Sequence, residues 1–103
     1  MKKTFKKQWV EALRSGKFRQ GAGALYEDRT YCCLGVLCKV SGMDARSIRK
    51  VTDPDEDGTT NSTLGPELLK KFGLTDEEQC HLAEMNDDGK SFKVIADHID
   101  ATL

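Results

Sequence analysis

Apolar residues recur at helical spacing along most of this chain, with charged residues between them. Phe5, Trp9, Ala12 and Leu13 form one stripe, separated by lysines, and Gly16 after Arg14 and Ser15 is a natural stop. Leu34 to Val40 is apolar nearly throughout and reads as a helix closed by Gly42. Ala45 to Val51 reads as a further short helix. Pro66 suits a first helical turn, Leu68, Leu69 and Phe72 follow on one face, and Gly73 ends the segment. Thr75 with Glu78 has the spacing of a capping box for a helix bearing Leu82 and Met85. Ser91 can cap a last helix in which Phe92, Ile95, Ala96 and Ile99 share a face.

Between the first two helices the period changes. Gln20-Gly21-Ala22-Gly23 has little to bury. Ala24-Leu25-Tyr26-Glu27 and Thr30-Tyr31-Cys32-Cys33 then read as two short strands around Asp28-Arg29, a turn without the glycine that a tight hairpin prefers. Residues 52–63 carry Asp, Gly, Thr and Asn with almost nothing to bury, which predicts a mobile acidic loop. The expected fold is α+β and mostly helical: one small domain over residues 1–103, with four to five short helices and one small β-hairpin.

Charge narrows the function classes. The 16 Lys and Arg nearly balance 17 Asp and Glu, whereas a dedicated nucleic-acid binder usually carries a net basic surface. The basic residues crowd into the first fifth of the chain, at Lys2, Lys3, Lys6, Lys7, Arg14, Lys17 and Arg19. No apolar stretch is long enough for a membrane span, and Lys6, Lys7, Gln8 and Glu11 interrupt any signal core. The expected location is the cytoplasm, where thiols stay reduced.

The thiols are the most obvious candidate chemistry. Cys32, Cys33 and Cys38 lie in the octet Tyr31-Cys32-Cys33-Leu34-Gly35-Val36-Leu37-Cys38. Cys33 falls where a strand hands over to a helix, and a helix N-terminus favours the thiolate. A hydrolytic cysteine also needs a base. His81 and His98 are the two histidines, and both fall on predicted helices with nothing directing them toward Cys33. The plainer reading, which we prefer, is that these thiols are small core hydrophobes. Zinc is weighed on Cys32, Cys33, Cys38, Cys80 and His81, but none has Cys-x-x-Cys spacing. Asp53-Pro54-Asp55-Glu56-Asp57-Gly58 matches the first half of an EF-hand loop, but Leu64 stands where the bidentate Glu should be and Thr60 where an apolar residue should be. We assign no catalytic residue, no metal ligand and no cofactor.

Binding residues are expected elsewhere. Arg19, Gln20, Gly21 and Gly23 lie between the first helix and the hairpin, with backbone amides not obviously used by regular structure. Asn86 and Asp87, at a helix end, can line the same face. The plainer reading is that Gly21 and Gly23 turn the chain and that Asn86 and Asp87 cap helices.

Two resemblances bear on function. Leu74-Thr75-Asp76-Glu77-Glu78, Leu82, Gly89-Lys90-Ser91 and Ile95-Ala96 look like the front half of a resolvase-type helix-turn-helix. Only Asp100 to Leu103 follow, where the DNA-reading helix belongs, so this supports a helix pair rather than DNA recognition. A wider pattern joins Trp9-x-x-Ala12-Leu13-Arg14-Ser15-Gly16-Lys17, Gln20-Gly21-x-Gly23-x-Leu25, Cys32-Cys33-Leu34-Gly35-Val36-Leu37-Cys38 and Met85-Asn86-Asp87-x-Gly89-x-Ser91-Phe92-x-x-Ile95-Ala96-Asp97. It resembles a small uncharacterised protein family common in bacteriophage genomes, covers most of the chain and spares the 53–63 loop. That resemblance carries no catalytic residues. It implies a phage accessory protein in the host bacterial cytoplasm, binding a host or phage protein without catalysis, for instance to counter a bacterial defence. The alternatives are a small-ligand-binding or cysteine-dependent hydrolytic module centred on Cys33, and a degenerate helix-turn-helix DNA binder.

Overall fold

The computed structural model describes residues 1–22, 24–44, 47–48, 52–54 and 60–103. Its elements are α1 (Lys3–Arg14), β1 (Tyr26–Glu27), β2 (Thr30–Tyr31), α2 (Cys33–Val40), β3 (Thr52–Pro54), β4 (Thr60–Leu64), α3 (Pro66–Phe72), α4 (Asp76–Asp87) and α5 (Phe92–Thr102). The architecture is α+β and mostly helical, as the hydrophobic spacing predicts.

α2 is the centre of the molecule. A helix that is apolar on every side has no face to give to water, and every residue from Cys33 to Cys38 is buried. α1 packs on one side of it and α4 on another, and α1 also lies along α5. Trp9, Val10 and Leu13 supply the α1 contribution to the core, and Phe92, Ile95, Ala96 and Ile99 that of α5. Trp9 buries its whole ring and donates its indole N–H to the Cys33 carbonyl at 2.8 Å, so the largest core side chain is also hydrogen-bonded. Gly35 has a steric role. A Cβ there would overlap the Leu25 carbonyl. Its absence lets the chain before β1 lie directly on α2, where that same carbonyl accepts the Cys32 N–H at 3.3 Å.

The expected caps form. Thr75 Oγ1 accepts the Glu78 N–H at 3.1 Å and the Glu78 carboxylate accepts the Thr75 N–H at 2.9 Å. Ser91 Oγ accepts the Val94 N–H at 3.3 Å at the start of α5. Pro66 opens α3, and Gly73 closes it in the left-handed region at φ 72°.

The strands depart from expectation in extent. β1 and β2 pair antiparallel through Tyr26↔Tyr31 and Glu27↔Thr30 only, because Cys33 already begins α2 and ends the ladder. The turn is tight despite lacking glycine: Asp28 and Arg29 both sit at positive φ, 51° and 65°. The composition of residues 52–63 predicts a mobile acidic loop. Thr52–Pro54 and Thr60–Leu64 instead pair antiparallel as β3 and β4, with an irregularity in register between Thr52 and Pro54. Residues 55–59, the centre of the EF-hand-like run, lie outside the described residues. So does most of the helix expected over Ala45–Val51, of which Ser47 and Ile48 are described, Ile48 fully buried.

Candidate functional site

Gln20, Gly21 and Asn86, three of the expected binding residues, meet at one point, and Asn86 is its hub. Its side chain is 3% exposed, at the last turn of α4 facing the first turn of α2. Asn86 Oδ1 accepts two hydrogen bonds, from the Cys33 backbone N–H at 3.2 Å and from Gln20 Nε2 at 3.0 Å. Its Nδ2 donates to the Gly21 carbonyl at 2.7 Å. Gln20 Nε2 also donates to the Lys90 carbonyl at 2.7 Å. The amides around Gly21, expected to be unused, belong to a short parallel bridge beside β2. Gly21 N–H donates to the Tyr31 carbonyl at 2.8 Å, and Tyr31 N–H donates to the Arg19 carbonyl at 2.9 Å. Gly21 is also tightly fitted, since a Cβ there would overlap Thr30 Oγ1. Arg19 and Asp87 are exposed, and Gly23 lies outside the described residues.

A second buried polar residue lies on the same face of α4, two turns earlier. Gln79, 2% exposed, accepts the Leu64 N–H through Oε1 at 2.8 Å and donates Nε2 to the Leu64 carbonyl at 3.2 Å and to Asp76 Oδ1 at 2.9 Å. The amide side chain engages both backbone groups of Leu64, as a neighbouring strand would, and fastens the end of β4 to α4. Among the described residues, no buried side-chain nitrogen or oxygen lacks a partner.

The thiols divide into buried and exposed. Cys32, Cys33 and Cys38 are inaccessible, whereas Cys80 on α4 is exposed. Cys33 does sit at the first position of α2, where backbone N–H groups favour a thiolate. Burial outweighs them and pushes the thiol well above its ordinary pKa, with neighbouring Cys32 adding to the effect. Burial likewise raises Cys32 to about 11 and Cys38 to about 12. The Cys33 thiol points into the protein, donating to the Leu82 carbonyl at 3.5 Å.

Two surface clefts complete the picture. One, about 270 Å³, runs between α1 and α5. Lys3, Lys6, Lys7 and Arg14 line it on the α1 side together with Val10 and the acidic Glu11, opposite Asp100. Arg14 pairs with Asp97 at 2.8 Å and Asp100 at 3.6 Å, and Lys6 Nζ donates to the Asp100 carbonyl at 3.2 Å. Lys3 and Lys7 are exposed and take part in no ion pair found among the described residues. The other cleft, about 260 Å³, lies between α4 and α5 and is lined by Glu77, Glu78, His81, His98 and Thr102 among others. Sequence reasoning missed it, although a signal was present. His81 and His98 each immediately precede a core residue, Leu82 and Ile99, which places both at the rim of the packed interface.

Residues 1–47 match a family model described as a domain of unknown function, DUF8296. The matched region takes in α1, the first hairpin and α2. No curated protein and no solved structure matches the chain. Among the described residues, no helix is long and apolar enough to cross a membrane.

Proposed function

We propose that this protein is a non-enzymatic accessory protein that binds a host or phage protein in the bacterial cytoplasm, the setting its phage-family resemblance implies. The burial of Cys33 carries this reading. The residue best placed to be a nucleophile is fully enclosed, held as a thiol and bonded to Leu82. This reading assigns recognition of the partner to surface charge. The basic face of α1 is the docking face, with Lys3 and Lys7 presented to solvent and Arg14 held beside Asp97. It suits an acidic protein surface, and such charge complementarity acts mainly on association rate and specificity.

The test is affinity capture from phage-infected lysate with wild type and with Lys3→Glu/Lys7→Glu, followed by mass spectrometry and binding measurements on the purified pair. The expected result is one acidic protein that binds wild type directly and is lost with the charge-reversed variant at unchanged melting temperature. Equal capture by both folded proteins overturns the assignment of the face, and hydrolytic activity that disappears with Cys33→Ala overturns the reading as a whole.

A further inference from the structure

We propose that His81 and His98 form a binding site for a divalent transition-metal ion of the zinc class in the cleft between α4 and α5. The two rings come from different helices and their centroids lie 5.0 Å apart, with planes tilted by 53°. That separation has a simple meaning. A zinc-class ion holds imidazole nitrogens at about 2.0–2.1 Å, with each ring centre roughly 1 Å beyond, so two imidazoles at a tetrahedral angle have centroids about 5 Å apart. The centroid separation matches that of two imidazoles sharing one ion, and the cleft beside them, about 260 Å³, has room for the ion and its water.

The surroundings favour a cation. Glu77 and Glu78 line the same cleft, and Glu77 lies one helical turn before His81 on the same side of α4. Glu78 is engaged in capping Thr75, so Glu77 is the carboxylate left to offset the ion's charge. Among the described residues, no cluster of three or more His, Cys, Asp and Glu side chains has metal-binding geometry. The proposed site has two protein ligands, His81 and His98, with water in the other positions, which sets a moderate affinity and an exchangeable ion. Imidazole pairs suit zinc, nickel and copper rather than magnesium or calcium. The buried thiols cannot compete, because burial keeps them protonated and closed off. Cys80 is the one exposed thiol among the described residues. It is adjacent to His81 but is not part of the cleft lining.

Calorimetric titration of the whole protein with zinc chloride near neutral pH, paired with cobalt chloride followed by visible absorption, tests this site. The expected result is one ion per chain with submillimolar affinity, and cobalt bands without thiolate charge transfer. Removing a ligand is expected to weaken binding about tenfold or more in His81→Ala and in His98→Ala. Glu77→Gln should weaken it less, and Cys80→Ser should bind as wild type. Should His98→Ala lower the melting temperature, His98→Asn keeps polarity and size while removing the imidazole. No heat at millimolar zinc overturns the proposal. So does undiminished affinity in His81→Ala/His98→Asn, or loss of binding in Cys80→Ser.

Discussion

Asn86 caps α2 from across the molecule: its Oδ1 accepts the Cys33 N–H at 3.2 Å although 53 residues separate them. The local N-cap of α2, Cys32, makes no side-chain cap of its own. Asn86→Ala leaves the buried Cys33 N–H and the part-buried Gly21 carbonyl without their partner. A loss of roughly 2–4 kcal/mol is expected, because each stranded group costs about 1–3 kcal/mol. Asn86→Asp keeps an acceptor for Cys33 but loses the donor to Gly21, and its charge is buried, so it should also destabilise. Urea unfolding measures both, and a loss under about 1 kcal/mol for Asn86→Ala would show that water replaces the cap.

Gln79 makes a parallel prediction. Its amide engages both backbone groups of Leu64. Gln79→Leu has similar bulk but no hydrogen bonds, and should cost roughly 2–3 kcal/mol by stranding them. Gln79→Glu retains the acceptor for Leu64 N–H yet sets a carboxylate against the Leu64 carbonyl and Asp76, so it should be no better. Hydrogen exchange at Leu64 should accelerate in Gln79→Leu, which removes its acceptor, and unchanged protection there would refute the strand-like role.

Burial of three thiols dictates both reactivity and pH dependence. Native protein treated with an aromatic disulfide should release one equivalent, from Cys80, and the other three only in denaturant. The Cys80 reaction should itself be slower than that of a free thiol, since slight desolvation with Asp76 and Glu84 raises its pKa. Cys32 and Cys38 have folded pKa values near 11 and 12 against an ordinary 9.0. Folding therefore favours their protonated forms. Their contribution is complete below about pH 9 and is lost as pH rises through the folded values, because the unfolded chain then releases protons more readily. Alkaline titration of stability should show that fall, and Cys38→Ala should flatten it.

The first hairpin can be improved. Asp28 and Arg29 both occupy the left-handed region, the sign pattern of a type I′ turn. Asp28→Asn/Arg29→Gly supplies residues that adopt it readily and should stabilise the protein by about 1 kcal/mol, seen as a raised urea midpoint. No gain would place compensating contacts at Arg29.

Much of the helical frame is legible in the residues themselves. The stripe through Trp9 and Leu13 and the one through Ile95 and Ile99 repeat with the helical period. The Thr75–Glu78 box and the Pro66–Gly73 pair announce their ends because caps are local in sequence. β3 and β4 were not legible, since their residues are mostly polar and lack the alternation of a half-buried strand. What holds β4 is an amide of α4, not an apolar face, and no periodicity reports that. The candidate site was half legible. Gln20, Gly21 and Asn86 do converge, but their types suit binding and internal bonding equally. Only the positions of Cys33 and Lys90 show that their polar groups face one another. His81 and His98 are weighed in the sequence only against the thiols, and their pairing is not legible there, because a histidine at an interface rim looks like any exposed polar residue until two helices are placed side by side.

The long-range cap on α2 bears on how the chain survives its own synthesis. Its most apolar octet emerges from the ribosome early, while the residue that completes its first turn is still to be added. At about 5–20 residues per second, the interval before Asn86 exists lasts several seconds. An eight-residue segment without a local cap is too short to hold helical form alone in that time. The nascent chain thus carries an exposed, thiol-rich apolar segment until α4 arrives. Its yield in a cell depends on what shields that segment meanwhile, a dependence that no equilibrium measurement on the finished protein would register.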